Sequence, residues 1–183
     1  MEKNDMKNQL ANCLKELMTT QTIDKIAIQD ITSQLNVSRQ TFYYHFEDIY
    51  ALLHWTLQKE AIHLLQDKEM DLLWKEGILA LFHYLEENKQ FVRSAIESLG
   101  ADRFKRFFYG EVFEIIQSVT TEFGKDFNED KKYTDFLSHF YTIGLPTIAI
   151  SWVQDEMDFT AEEMIEMMDK TFKDQLYGAQ HRQ

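Results

Sequence analysis

Arg39, Gln40, Thr41, Tyr44 and His45 form the densest group of side chains able to do chemistry on a partner. The stretch from Arg39 to His45 offers a guanidinium, an amide, hydroxyls and an imidazole, and no carboxylate. That chemistry is recognition, not bond making. Arginine pairs with guanine edges, glutamine with adenine, and hydroxyls donate to phosphate oxygens. Gln29, Ser38 and Tyr43 complete the candidate DNA-contact set, in which Arg39 and Gln40 are the better base readers. Tyr43 has two options, packing inward or offering its hydroxyl to phosphate. The bland alternative is a polar helical surface with no partner, and the order of the surrounding residues argues against it.

The elements that must position this set are written in the flanking residues. Ile31 and Leu35 lie four apart and line one face of a short helix, and Phe42 and Phe46 do the same on a second. Between them Asn36 falls where the chain turns sharply, and asparagine tolerates the left-handed conformation better than most residues with a side chain. Val37 can bury between the helices, and Ser38 can cap the second by accepting from a first-turn N–H. This is the pattern of a helix-turn-helix, whose second helix enters the DNA major groove.

The same residues resemble the N-terminal domain of the TetR/AcrR repressor family. The family pattern D-I-x-x-x-x-G-V-S-x-x-T-F-Y-x-H-F-x-x-K-x-x-L is met by Asp30, Ile31, Val37, Ser38, Thr41, Phe42, Tyr43, His45, Phe46 and Leu52. The T-F-Y-x-H-F string makes the match specific. The chain departs from it twice. Asn36 replaces the turn glycine, and Ile49 replaces a lysine that in the family usually contacts phosphate. With Glu47 and Asp48 alongside, the second departure implies weaker non-specific DNA binding. The segment from His45 to Trp55 further resembles a branch that includes regulators of dihydroxyacetone kinase operons. The resemblance implies a homodimer whose last two helices form a four-helix interface, a ligand-responsive C-terminal body, and a helix after Phe46 that ties the body to the head.

Composition sets the frame. The 183 residues include one proline and six glycines, which favours long helices over sheets. Hydrophobic content of 44% argues against disorder. The one cysteine, Cys13, allows no intrachain disulfide, and Met1-Glu2-Lys3-Asn4-Asp5 does not open a signal peptide, so a cytoplasmic protein is expected. The apolar run from Ile143 to Val153 is interrupted and too short to span a bilayer, so no membrane partner is expected. Net charge is −12. Residues 1–46 balance five basic side chains (Lys3, Lys7, Lys15, Lys25, Arg39) against five acidic ones (Glu2, Asp5, Glu16, Asp24, Asp30), so the whole excess lies beyond them. A neutral head on an acidic body gives a weak electrostatic footprint for DNA.

The expected architecture is all-α with about nine helices. A helix-turn-helix domain of three helices spans 1–46, and a helical ligand-binding and dimerisation bundle spans 47–183. A first helix from Asp5 to Thr20 buries Leu10, Cys13, Leu14, Leu17 and Met18, with Ile23 and Ile26 under the helix-turn-helix. A long helix then runs from Glu47 to Gln66. Further helices cover Leu72–Glu87, Asn88–Leu99, Asp102–Phe123, Asn128–Trp152 and Thr160–Tyr177. Gly100 ends the second of these, Asp102 caps the third, and Gly124 stops it. Thr160 with Glu163 opens the last as a capping box.

In the body, an aromatic set could line a pocket for a small-molecule effector: Trp55, Phe82, His83, Phe91, Phe104, Phe107, Phe108 and Phe113. Ordinary bundle core explains each position more often than a pocket does. Ile143, Ile148, Trp152, Met164, Met168 and Phe172 are candidates for the dimer interface. A helix apolar on more than one face must be covered on more than one face, and a single well-covered core is the alternative. Pro146 should kink or weaken its helix.

No catalytic residue, metal site or cofactor is assigned. Glu60 and His63 form one Glu-x-x-His unit of the kind di-iron bundles use twice, without a second copy. Cys13 sits on an apolar stripe and reads as core. The sequence leaves two readings. One is a homodimeric, effector-responsive transcriptional regulator binding double-stranded DNA at a near-palindromic operator through residues 38–45. The other is a protein-interaction module or co-regulator-dependent activator, with weak autonomous DNA binding and a protein co-regulator as partner.

Overall fold

A computed structural model describes residues 3–66, 74–126 and 130–181. The described residues are all-α, with ten helices, nine of them seven residues or longer, and no strand. They group into two compact units, one of 1–60 with 88–107 and one of 61–87 with 108–183.

The first unit holds α1 (Lys3–Met18), a 3-10 turn (Ile23–Lys25), α2 (Ile28–Gln34), α3 (Arg39–His45), α4 (Ile49–Leu57) and α7 (Lys89–Leu99). α1 buries Met6, Leu10, Cys13, Leu14 and Met18 on one stripe, joined by Ala11, while Leu17 stays half-exposed. Ile31, Phe42, Leu52 and Leu53 are fully buried in the same unit, each side chain worth about 1.5–3 kcal/mol of transfer free energy. α7 completes this core with Phe91, Val92, Ala95 and Ile96. Its hydroxyls finish the loop after α1: Ser94 Oγ donates to the Gln21 carbonyl (3.1 Å), and the Ile23 N–H donates to Ser98 Oγ (3.1 Å).

α4 does not continue as a regular helix. Gln58–Ile62 forms a π turn before α5 (His63–Gln66). Ala61 and Ile62, at the end of the turn, are buried.

The second unit holds α5, α6 (Trp74–Glu87), most of α8 (Ala101–Asp126), α9 (Lys131–Val153) and α10 (Ala161–Gln180). The expected starts at Leu72 and Asn128 lie outside the described residues. α8 begins at Ala101, so Asp102 is a first-turn residue paired with Lys105 (3.1 Å) and not a cap. Gly124 does not stop α8, which runs on to Asp126. Its role is close approach: a Cβ there would lie 2.5 Å from Thr134 Cγ2 on α9. Nearby, Thr120 and Ser138 share a buried hydroxyl hydrogen bond (2.6 Å) between α8 and α9.

α9 is capped by Asp130, which accepts from the Tyr133 N–H (2.9 Å). It ends in a Schellman turn with Asp155 at φ 62°, the Glu156 N–H donating to the Ser151 carbonyl (2.9 Å). Taken whole, its 23 residues are long and apolar enough to cross a bilayer, unlike the shorter run from Ile143. Length and composition alone are weak grounds for a membrane span. Buried Thr134, Ser138 and Thr142 show a helix packed on protein. Phe82 of α6 meets Trp152 edge-on at 5.0 Å, and Trp152 Nε1 donates to the Phe159 carbonyl (2.6 Å). Thr160 and Glu163 close the expected capping box on α10 (3.2 and 2.8 Å).

Candidate nucleic-acid interface

The turn between α2 and α3 is built from main-chain bonds. Asn36 takes φ 53°, its N–H donates to the Ser33 carbonyl (3.2 Å) and that of Val37 to Thr32 (2.9 Å). This is a second Schellman turn, with asparagine in the left-handed position that glycine usually fills. Ser38 comes next as the N-cap of α3, its Oγ accepting from the Thr41 N–H (3.1 Å). Phe42, fully buried, and Phe46, 6% exposed, anchor the other side of α3. The helix therefore cannot roll without expelling two phenyl rings.

That anchoring decides what faces out. Gln29, Ser38, Arg39, Gln40, Tyr43 and Tyr44 are exposed, Tyr44 most among these aromatics at 70%, while Thr41 and His45 are half-buried. Of the two options for Tyr43, the ring takes the outward one, at 55% exposure and edge-on to Phe42. The Thr41 hydroxyl is shared with Ser38 Oγ (3.0 Å), and Tyr44 packs edge-on to His45 at 5.0 Å. Arg39 Nη2 donates to Gln29 Oε1 across the two helices (3.2 Å). Residue spacing carries no sign of that link.

Residues around the expected phosphate contact have structural work instead. Ile49 is buried, and Asp48 caps α4 by accepting from the Ala51 N–H (2.7 Å). Several lysines of this unit are held on aromatic faces. Lys7 lies 5.3 Å from the Phe46 and Trp55 ring centres, and Lys15 pairs with Glu60 (2.6 Å). Behind the turn, Cys13 donates weakly to the Ile31 carbonyl (3.8 Å), and burial first, then the Glu16 charge, pushes its thiol up to about 11.

The proposed effector residues fall in several places. Trp55 packs on Phe46 (5.6 Å), and Phe91 is core of the first unit beneath Lys15 (5.7 Å). Phe104 also belongs to the first unit, where it is half-buried. In the second unit Phe82 packs on Trp152, and Phe108 is buried. Phe113 stacks on Tyr109 (5.9 Å) and tilts over His139 (4.9 Å). His83 lies between Glu86 (3.9 Å) and Glu162 (3.6 Å). The side chain of Phe107 lies outside the described residues.

Of the proposed interface residues, Ile143 is exposed, and Ile148 and Met168 are half-buried. Trp152 and Met164 are buried inside the second unit, and the side chain of Phe172 lies outside the described residues. Sequence reasoning missed Phe136 and Phe140, which are 59% and 58% exposed and stacked at 6.0 Å. Their spacing of four, then three to Ile143, was the available signal.

An amphipathic helix pair joined by a Schellman turn, with the second helix presenting outward donors, is a helix-turn-helix. Residues 73–174 match the family described as the transcriptional regulator C-terminal region of TetR type, over more than half of the chain. The chain belongs to the TetR family of transcriptional regulators.

Within that family it is similar to the HTH-type dhaKLM operon transcriptional activator DhaS of Lactococcus lactis subsp. lactis (strain IL1403). Identity is 32% over 82 residues, 45% of this chain and 44% of that protein. The chain thus matches less than half of that relative's length. A solved structure of a dihydroxyacetone kinase operon activator DhaS superposes with a TM-score of 0.72, at 22% identity over 93% of this chain and 96% of that one. That likeness speaks for the fold.

Proposed function

We propose that this chain is a homodimeric regulator that binds double-stranded DNA through α3, with the first turn of α2 assisting. The observation that carries the reading is the exposed donor face of α3, locked outward by Phe42 and Phe46 and capped by Ser38. Arg39 and Gln40 sit at the start of the helix, where a recognition helix meets base edges. Tyr43, Tyr44 and Thr41 suit phosphate contacts, and His45 stands at the end of the same helix.

Dimerisation is supported by the second unit. Phe136, Phe140 and Ile143 form an exposed apolar stripe on α9, and α10 exposes Met167 and Tyr177. Contiguous apolar surface of this kind favours a protein partner over water. A two-fold pair of recognition helices calls for a near-palindromic operator. The reading retains a small-molecule effector for the C-terminal body, with Phe108 and Phe113 as contacts.

A second reading, activation together with a protein co-regulator, is favoured by the charge of the head and by the relative named as an activator. A head without net positive charge at 1–46 gains little from counterion release, so a partner would have to supply affinity.

Selection of sheared genomic DNA on the purified protein, at near-physiological salt, tests the first reading. An enriched near-palindrome is the expected result, and Arg39→Ala should lose it while the protein stays dimeric. Retention of sequence-specific DNA only after addition of cell extract would favour the second.

A further inference from the structure

The contact between Gln29 and Arg39 has a definite polarity. A guanidinium carries donors only, so the amide atom 3.2 Å from Arg39 Nη2 must be the Gln29 oxygen. The Gln29 Nε2 donors are then turned away from Arg39. Both residues are exposed, one in the first turn of α2 and the other in the first turn of α3.

The main chain fixes both turns. The Ala27 N–H donates to Asp30 Oδ2 (2.8 Å) at the start of α2, Ser38 caps α3, and the Asn36 turn sets the join. The spacing of the two side chains is therefore a property of the scaffold.

We propose that Gln29 is a positioning residue for Arg39, and that together they form one donor-only group selecting a guanine edge. The inference rests on the reading of α3 as the DNA-contacting helix. A free glutamine reads adenine by presenting one donor and one acceptor side by side. With its oxygen turned toward Arg39 and one lone pair taken, Gln29 no longer presents donor and acceptor side by side to a base. What remains is a row of N–H groups from both side chains. Adenine and cytosine place an amino donor in the major groove and would meet donors with a donor. Guanine offers O6 and N7 as adjacent acceptors and fits. Holding the arginine before contact also removes rotamer freedom that binding would otherwise have to remove.

The test is quantitative binding of wild type, Q29A, Q29E, R39A and the Q29A/R39A double variant to single-base variants of the sequence that wild type selects. Circular dichroism and sedimentation establish that each is folded and equally assembled. R39A should erase the preference at one G·C pair. Q29A should weaken the preference at that same pair by about tenfold, within the range a good arginine–guanine pair supplies. It should add nothing in the R39A background. Q29E keeps an acceptor for Arg39, so it should preserve the guanine preference while weakening binding to all sequences through phosphate repulsion.

An equal loss on every sequence for Q29A would make Gln29 a phosphate contact and overturn the proposal. Loss at a different base pair from R39A would make Gln29 a reader in its own right and overturn it too. So would a Q29E protein that loses the guanine preference as Q29A does. If folded wild type retains no DNA, the DNA-reading function falls and the pair falls with it. Wild-type retention decides that question, and the variants decide only the role of Gln29.

Discussion

Among the described residues, the large hydrophobic side chains exposed in the first unit are Tyr43 and Tyr44, both on α3 and both tipped with a hydroxyl. In the second unit they are Tyr109, Val119, Phe136, Phe140, Ile143, Phe159, Met167 and Tyr177, mostly without a polar tip. A tyrosine can stand in water or against a phosphate at little cost. Phenyl rings on consecutive turns of α9 are better covered. Among the described residues, the first unit exposes little large apolar surface beyond those two tyrosines. The second carries apolar surface beyond what its own core uses.

The largest effect should come from breaking the core of the first unit. Phe42→Ala removes a fully buried ring that also orients α3, and should cost about 3–5 kcal/mol in urea unfolding. Loss of less than about 1 kcal/mol would mean that Phe42 is not the anchor.

Next is the apolar stripe. Phe140→Asp with Ile143→Asp should weaken self-association by about a hundredfold, roughly 2.7 kcal/mol, read by sedimentation at several concentrations. The thermal stability of the monomer should barely change, because both side chains are exposed. Unaltered association would remove this face from the interface.

Gly124→Ala sharpens the contrast inside the second unit. A helical alanine is normally favoured over glycine by about 1 kcal/mol, yet here its Cβ meets Thr134 Cγ2 at 2.5 Å. Overpacking should win, for a net loss of about 1–3 kcal/mol. Thr134→Ser, which deletes that methyl, should return most of it. Failure of the rescue would place the strain elsewhere.

The smallest effect belongs to the caps. Ser38→Ala and Thr160→Ala should each cost about 1 kcal/mol of stability. Only the first should also lower DNA affinity, since only Ser38 opens the helix proposed to contact DNA. Equal effects on DNA binding would argue that α3 holds its place without its cap.

Legibility in the sequence depends on range. The helix-turn-helix was legible because its signals are local: Ile31 with Leu35, Phe42 with Phe46, Asn36 at the turn and Ser38 at the cap. The capping box at Thr160 was legible for the same reason. Gly124 reads as a stop because glycine often is one, whereas its actual role depends on Thr134 of a different helix. Phe91 suits a pocket wall by composition and is core beneath Lys15, a contact between α1 and α7 that no spacing reveals. The π turn after α4 leaves no mark in the residues that form it. On α9, apolar residues occur all round, so the pattern could not tell the buried Trp152 from the exposed Phe140.

Cys13 gives this protein a built-in clock. It is the only cysteine, 3% exposed behind the turn, and its proton is held up to about 11. Thiol reagents attack the thiolate, so a sealed thiol with a raised pKa is labelled only when its shelter opens. Each labelled molecule therefore records one parting of α1 from α2, the helix joined by the turn to α3. An operator that clamps α3 should slow the clock, and any small molecule that loosens the head should make it run fast.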